Sequence, residues 1–156
     1  MQHASFASSH PGEKPFGSIG LGHGQQVLWP DRCVQGTSGA GFHPDLGPAI
    51  DQANLILRQG THPAVDSYSA FFENDKVTST GLAGYLRDRR LRRCVFVGLA
   101  YDFRVAWSAQ DAARLGFEAA VLKPLTRAIA MPAAEGQTTM DEVEADFPGT
   151  GIVVVA

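Results

Sequence analysis

The chain has 156 residues, of which 44% are hydrophobic and 19% charged, and its formal net charge is -3 at pH 7. This length suits one hydrophobic core, and the mild acidity gives no electrostatic reason to expect a nucleic acid or an anionic membrane as a partner. No apolar run approaches the roughly twenty residues of a membrane-spanning helix, and the first residues lack a signal-peptide core. The composition therefore predicts a single cytoplasmic domain over residues 1–156.

The first third of the chain is rich in glycine and proline and has few periodic apolar positions. Residues 11–26 lack the apolar spacing of a core element, so we predict a surface segment there, either an ordered arm or a mobile lid. Residues 28–40 form a turn-rich passage that carries Trp29. Residues 53–58 are a short apolar run, which we interpret as a strand.

Further along the chain, strands and helices alternate. We predict helices over residues 80–90, 103–115 and about 140–146, and strands over residues 94–100, 118–122 and 151–155. Gly116 predicts where the second of these helices ends, and the strand that begins at Cys94 is apolar enough to be buried. Such βαβ alternation is typical of an α/β fold with three layers, in which helices cover both faces of a mainly parallel sheet.

Two features receive a structural interpretation. The basic run at residues 87–93, RDRRLRR, falls at a predicted helix end, where cations complement the helix dipole and stay solvated. A nucleic-acid surface would need aromatic or base-reading partners nearby. Cys33 and Cys94 are the only cysteines, and we expect them to be free and structural, since a cytosolic chain rarely forms disulfides.

The most informative pattern is the segment over residues 94–116, CVFVGLAYDFRVAWSAQDAARLG. An apolar strand, a tight turn at Gly98 and a helix form an elbow that holds one side chain at the mouth of a pocket, near the positive end of the helix. The residue at the first helical turn is Arg104. Its guanidinium stays protonated and cannot act as a nucleophile. The elbow is typical of a hydrolase, but the residue that it presents is not.

Four stretches resemble the nicotinamidase/pyrazinamidase branch of the isochorismatase-like hydrolases. They are residues 3–7 (HASFA), 29–46 (WPDRCVQGT, then GA and FHPDL), 65–72 (VDSYSAFF) and 98–100 (GLA). Each is short, but their order and spacing together are specific. The resemblance implies the isochorismatase-like hydrolase fold and the conversion of nicotinamide and water to nicotinate and ammonia, a step of pyridine nucleotide salvage.

The resemblance also implies a set of catalytic groups. In the family a cysteine thiolate attacks the carboxamide, an aspartate and a lysine move protons, and a divalent metal (zinc, manganese or iron) orients the pyridine nitrogen and activates water. On this chain the cysteine falls on Arg104, the lysine on Gln59 and a metal-binding histidine on Arg32. The family's aspartate and its other metal ligands belong to its first two strands. We expect this chain to begin after both strands and its sheet to lack them.

These substitutions predict a catalytically degenerate member. Two arginines place positive charge where a metal ion and a thiolate should meet, and Gln59 neither gives nor takes a proton near neutral pH. His3 matches a histidine that is a metal ligand in only some members of the family. Because stable sites generally need about three or four protein ligands, we predict that no metal is bound.

Part of the family's binding site is expected to remain. The resemblance places Trp29 against the pyridine ring and Tyr68 at a second position in the pocket. It also assigns the oxyanion hole to the backbone N–H groups of Ala100 and Arg104, set by a cis peptide bond between Leu99 and Ala100. The partner predicted on this basis is nicotinamide or a related pyridine, and a homo-oligomer stays open.

Three interpretations follow. In the first, the chain is a degenerate nicotinamidase that keeps its fold and part of the pyridine pocket. In the second, it is an active amidohydrolase with relocated groups, and Asp102, beside the elbow, is the base. In the third, it is a non-catalytic relative that binds pyridines or regulates an oligomer. Ammonia release from nicotinamide distinguishes the second from the other two.

Overall fold

A computed structural model describes residues 3–156 of the chain. These residues form two compact units, one ending at Asp66 and the other running from Ser67 to Ala156. The single domain expected over residues 1–156 stays a prediction. None of the helices in the described residues is long and apolar enough to span a bilayer.

The first unit contains an antiparallel hairpin where the sequence predicts a segment without regular structure. Its strands are β1 (Ser18–Leu21) and β2 (Gly24–Val27), with Leu21 paired to Gly24 at the turn. Gly24 has φ 128°, which side-chain-bearing residues rarely adopt. The glycines that suggest an irregular loop over residues 11–26 therefore close a tight turn.

The remainder of the first unit consists mainly of turns. A single-turn helix, α1 (Gly47–Ile50), follows a 3-10 turn at Pro44–Leu46. Residues 53–58 belong to no strand, so the prediction of a strand there is wrong. Leu55 and Ile56 are 41% and 46% exposed, which shows that this apolar run does not enter a core. A short apolar run cannot by itself distinguish a strand from an exposed extended segment.

The second unit is an α/β assembly, which confirms the predicted fold class. Its parallel sheet has the order β3-β4-β5, and three helices accompany it. The strands are β3 (Arg93–Leu99), β4 (Glu118–Arg127) and β5 (Val153–Val155), and the helices are α2 (Leu82–Asp88), α3 (Ala106–Arg114) and α4 (Thr139–Asp146). Each element overlaps the range predicted for it.

Helix α3 supplies much of the core of this unit. Ala106, Ala109 and Ala112 are 0% exposed and pack in one cluster with Phe71, Val121 and Phe147 from the surrounding elements. Small alanine side chains at this spacing let the helix approach the sheet closely, so that the larger residues fill the space around it. The helix ends before Gly116, whose φ is 86°, as the sequence predicts.

Strand β3 is only partly buried, and on one face, which corrects the expectation of a buried strand. Cys94 and Phe96 pack against the core, whereas Val95, Val97 and Leu99 are 52%, 51% and 70% exposed. Side chains alternate between the two faces of a strand, so Val95, Val97 and Leu99 share the more exposed face. Continuous apolar sequence therefore overstated the burial of this strand.

Candidate functional site

The elbow joins β3 to α3 through an unusual backbone. Gly98 has φ 102°, and the peptide bond between Leu99 and Ala100 is cis, which confirms the expected isomer. A π-helical turn, Tyr101–Val105, then leads into α3. The carbonyl oxygen of Ala100 accepts hydrogen bonds from the backbone N–H groups of Phe103 and Val105, at 3.2 and 3.1 Å. Single π-helical turns are frequent at functional sites. The assignment of Ala100 and Arg104 to an oxyanion hole stays a prediction.

Arg104 and Tyr68, both predicted from the resemblance, lie together in the second unit. The Nη1 atom of Arg104 donates a hydrogen bond to the carbonyl oxygen of Ser67, and its guanidinium carbon lies 5.9 Å from the centroid of the Tyr68 ring. The Tyr68 ring meets Phe103 and Trp107 edge-on, with centroids 5.7 and 5.1 Å apart. The elbow thus holds a half-buried cation near the Tyr68 ring, which packs against two further aromatic rings.

The segment that carries Tyr68 is held in place by its own polar contacts. Ser67 is fully buried, and its hydroxyl donates to the carboxylate of Glu73. The backbone N–H of Tyr68 donates to Oδ1 of Asn74, at 2.8 Å. No sequence pattern marks Glu73 for this role, and Ser67 is marked only as a member of the motif VDSYSAFF. Both residues fix the backbone against which Arg104 is bonded.

Asp102 is fully committed to structure. Its carboxylate, 2% exposed, accepts hydrogen bonds from the backbone N–H groups of Ile129 and Ala130, at 2.9 and 2.8 Å, and from Oγ1 of Thr139, at 2.5 Å. These donors lie in the loop after β4 and at the start of α4. A general base must reach a substrate proton, whereas this carboxylate is enclosed by donors.

A buried tyrosine of the π-helical turn lies near the acidic side chain of Glu144 in α4. Tyr101 is 1% exposed, and burial, together with the carboxylate of Glu144, raises its pKa to about 12. Lys123 of β4 pairs with the same carboxylate, with Nζ 2.5 Å from Oε1. Tyr101 therefore stays neutral at ordinary pH, and it contributes to packing rather than to proton transfer.

In the first unit, Arg32 and Trp29 form a stacked pair. The guanidinium carbon of Arg32 lies 4.6 Å from the centroid of the Trp29 ring, and Trp29 is 2% exposed. The backbone of Trp29 is bonded to the HASFA stretch, because its N–H donates to the carbonyl oxygen of Ser5 at 2.7 Å and its own oxygen accepts from Ala7 at 2.9 Å. Two of the motifs that carry the resemblance therefore meet in this unit.

His3 and Gln59 also belong to the first unit. The Nδ1 atom of His3 accepts the backbone N–H of Ser5 at 3.2 Å, so the proton of the neutral ring is on Nε2. That Nε2 atom is buried and has no hydrogen-bond partner among residues 3–156. Gln59 lies in the extended segment before Gly60. Roles for His3 and Gln59 at a site stay predictions.

With this geometry established, comparison with known proteins assigns the family. The isochorismatase domain matches residues 20–142, and the chain belongs to the isochorismatase family. Within the family its relatives are nicotinamidases: the nicotinamidase of Acinetobacter baylyi is 51% identical over 129 residues. That alignment covers 83% of this chain and 59% of the relative, so the chain spans about three fifths of the relative's length.

Solved structures agree with the fold and with the resemblance. The Acinetobacter baumanii nicotinamidase/pyrazinamidase superposes with a TM-score of 0.89 at 44% identity, covering 98% of this chain and 70% of that one. PnC1 from L. infantum, in complex with nicotinate, has a TM-score of 0.78 at 34% identity, with coverages of 99% and 65%. The predicted nicotinamidase/pyrazinamidase branch is thereby confirmed as the group that this chain resembles.

Metal binding is known in the family but does not fit the residues described here. A pyrazinamidase of Pyrococcus horikoshii was solved in complex with zinc; it has a TM-score of 0.63 at 28% identity, with coverages of 83% and 63%. In residues 3–156 of this chain, no three histidine, cysteine, aspartate or glutamate side chains come together. The protonated guanidinium of Arg32, predicted from the resemblance to stand at a metal-ligand position, has no lone pair to offer a metal.

Proposed function

We propose that this chain is a nicotinamidase-like domain that binds nicotinamide or a related pyridine without hydrolysing the amide. The observation that carries the proposal is the contact of Arg104 with the carbonyl oxygen of Ser67, which holds a guanidinium at the elbow. The resemblance puts a nucleophilic cysteine at this position. A guanidinium cannot attack a carbonyl carbon, so no covalent intermediate forms there.

Two further substitutions support the loss of hydrolysis. Gln59 stands at the position of the family's lysine and cannot carry a proton near neutral pH. Arg32 stands at the position of a metal-binding histidine and stacks on Trp29 instead. No step of the proposal passes through a metal. The reaction of the longer relatives is therefore not carried over to this chain.

The elbow nevertheless suits a planar, polar ring. Tyr68, which packs edge-on against Phe103 and Trp107, provides an aromatic ring, and the guanidinium of Arg104 provides hydrogen-bond donors near it. Guanidinium groups pair more strongly with carboxylates than with neutral amides, because both partners are charged. We therefore expect nicotinate to bind more tightly than nicotinamide. On the resemblance alone, we also propose that Trp29 stacks on a pyridine ring and that the chain is cytoplasmic.

The alternative of an active amidohydrolase based on Asp102 is not adopted. The three hydrogen bonds to its carboxylate leave the group enclosed, and moving it toward a substrate would break all three. An oligomer-regulating role has no observation in its favour among the described residues.

The deciding experiment combines catalysis and binding. Ammonia release from nicotinamide is measured with added zinc, manganese or iron for the unmodified protein and for Arg104→Cys, and nicotinate and nicotinamide are titrated calorimetrically. We expect no release above background from the unmodified protein, together with measurable binding of both pyridines. An Arg104→Met variant should lose the preference for nicotinate. Turnover by the unmodified protein, or no binding of either pyridine at millimolar concentration, would refute the proposal.

A further inference from the structure

A cleft of about 450 Å³ lies in the second unit, at the opposite end of β3 from the elbow. It is lined by Arg87, Arg90, Leu91, Arg92, Leu115, Gly116 and Phe117. The ends of α2 and α3 meet the start of β3 here, whereas the elbow follows the last residue of β3. The cleft is therefore separate from the pyridine site proposed above, and nothing in the nicotinamidase resemblance uses it.

One of its three arginines has a structural role. The Nη2 atom of Arg87 donates to the carbonyl oxygen of Leu115 at 3.1 Å, and its guanidinium carbon lies 5.5 Å from the centroid of the Phe117 ring. Arg87 thus satisfies a carbonyl group at the end of α3, where a cation is favourable. This contact accounts for a basic residue at position 87 but not for its neighbours.

The side chains of Arg90 and Arg92 are exposed and form no hydrogen bond or ion pair with any residue that the structure describes. The nearby acidic groups do not neutralise them: Glu118 pairs with Arg93 at 3.0 Å, and Asp88 is the one acidic residue in the run 87–93. Two guanidinium groups without an acidic partner therefore stand at the rim of one concave surface. An anion that binds in the cleft is attracted by both positive charges.

The floor of the cleft is apolar. Leu91 is 47% exposed, Leu115 is half-buried, and Phe117, at 7% exposed, closes the cleft from the core side. Ligand sites of this size commonly combine an apolar lining with a few polar groups that fix the orientation of the ligand. Phosphate groups match the planar guanidinium fork, which can donate two parallel hydrogen bonds.

We propose that this cleft binds a small organic phosphate, a doubly charged phosphoryl group attached to a planar or apolar moiety of about the size of a mononucleotide. Arg90 and Arg92 hold the phosphoryl group, and the apolar floor accepts the attached moiety. The carbonyl ends of α2 and α3 oppose an anion, so binding depends on these two arginines.

The test uses adenosine 5′-monophosphate as the probe. Ribose 5-phosphate, which lacks the adenine base, and adenosine, which lacks the phosphoryl group, serve as comparison compounds. Isothermal titration calorimetry on the full chain at low ionic strength should show the monophosphate binding most tightly, with affinity falling as salt is added. Arg90→Gln and Arg92→Gln should each weaken binding roughly tenfold, as expected for losing a charged hydrogen bond.

Arg89→Gln is the matched control. It removes the same charge from the same run, but Arg89 does not line the cleft and instead lies over the Tyr85 ring, 3.8 Å from its centroid. We expect it to change the dissociation constant less than about twofold. Arg104→Met should leave binding of the monophosphate unchanged, which separates this proposal from the pyridine site.

Three results overturn the inference. These are an absence of binding at millimolar monophosphate, an equal loss of affinity in Arg89→Gln and Arg90→Gln, and equal binding of ribose 5-phosphate and the monophosphate. Displacement of the monophosphate by a single-stranded oligonucleotide that binds more tightly overturns it as well, since the surface would then serve a nucleic acid. Circular dichroism of each variant ensures that a loss of binding is not a loss of folding.

Discussion

Removing the carboxylate of Asp102 should destabilise the second unit strongly. Asp102 is 2% exposed and joins the π-helical turn to the loop after β4 and to the start of α4 through three hydrogen bonds. Hydrogen bonds to a charged group contribute about 1.5–3 kcal/mol each. In Asp102→Ala, however, Ile129 and Ala130 are exposed enough for their N–H groups to find water. We therefore expect a loss of about 3 kcal/mol, below the sum of the three.

Two further variants sharpen the prediction. In Asp102→Asn one oxygen still accepts a hydrogen bond, but the amide NH2 faces a donor, so we expect a loss of about 2 kcal/mol. Thr139→Val removes the hydroxyl that donates to Asp102, and a double-mutant cycle with Asp102→Ala should give a coupling of about 1 kcal/mol. Asp88→Ala, at an exposed aspartate, serves as the control and should stay within about 0.5 kcal/mol of the unmodified protein.

Urea unfolding followed by far-ultraviolet circular dichroism gives the free energy of unfolding for each variant. The expected losses follow from the role of Asp102 as a structural hydrogen-bond acceptor. A loss below about 1 kcal/mol in Asp102→Ala would refute it, because so buried a carboxylate with three donors cannot be removed at so small a cost. If Asp102→Ala were more stable than the unmodified protein, the Asp102 carboxylate would instead have a chemical role that costs stability.

Three other outcomes are expected. The pKa of Tyr101 is raised to about 12 from 10.0, so its contribution to stability is complete below pH 10 and is lost as the pH rises toward 12. The urea midpoint of the unmodified protein should therefore fall between pH 10 and pH 12. In Tyr101→Phe this fall should be smaller. Burial raises the pKa of the Cys94 thiol, whereas Cys33 is exposed, so iodoacetamide at pH 8 should label Cys33 first in peptide mass mapping; equal labelling would contradict the burial. Thr138 accepts the backbone N–H of Asp141 in a capping box at the start of α4, so Thr138→Ala should cost about 1 kcal/mol in the same urea assay, and no change would show that the cap is dispensable.

The sequence predicts most reliably those elements in which several local signals agree. Helix α3 combines apolar spacing, alanine content and the stop at Gly116, and the structure has all three. The elbow follows because a glycine turn joins an apolar strand to that helix. The pairing of β1 with β2 was missed, because short strands of mixed polarity carry little periodicity.

The hydrogen bonds of the site were beyond sequence reasoning for a different reason. Asp102 receives donors from Ile129, Ala130 and Thr139, which are far from it along the chain. The residues next to Asp102 in the sequence carry no sign of these distant hydrogen-bond donors. From the sequence, an acidic residue beside the elbow is therefore a candidate base. The resemblance located Arg104 and Tyr68, but only the structure gives Ser67 and Glu73 as the residues that hold them.

The chain has two tryptophans, and each compact unit contains one of them. Trp29 lies under the guanidinium of Arg32, and Trp107 lies under the ammonium of Lys76, 4.1 Å from its ring centroid. Replacing either indole by phenylalanine leaves a single intrinsic fluorophore, whose emission reports on its own half of the polypeptide. Parallel denaturation curves from the two variants would reveal whether the halves melt cooperatively or one after the other.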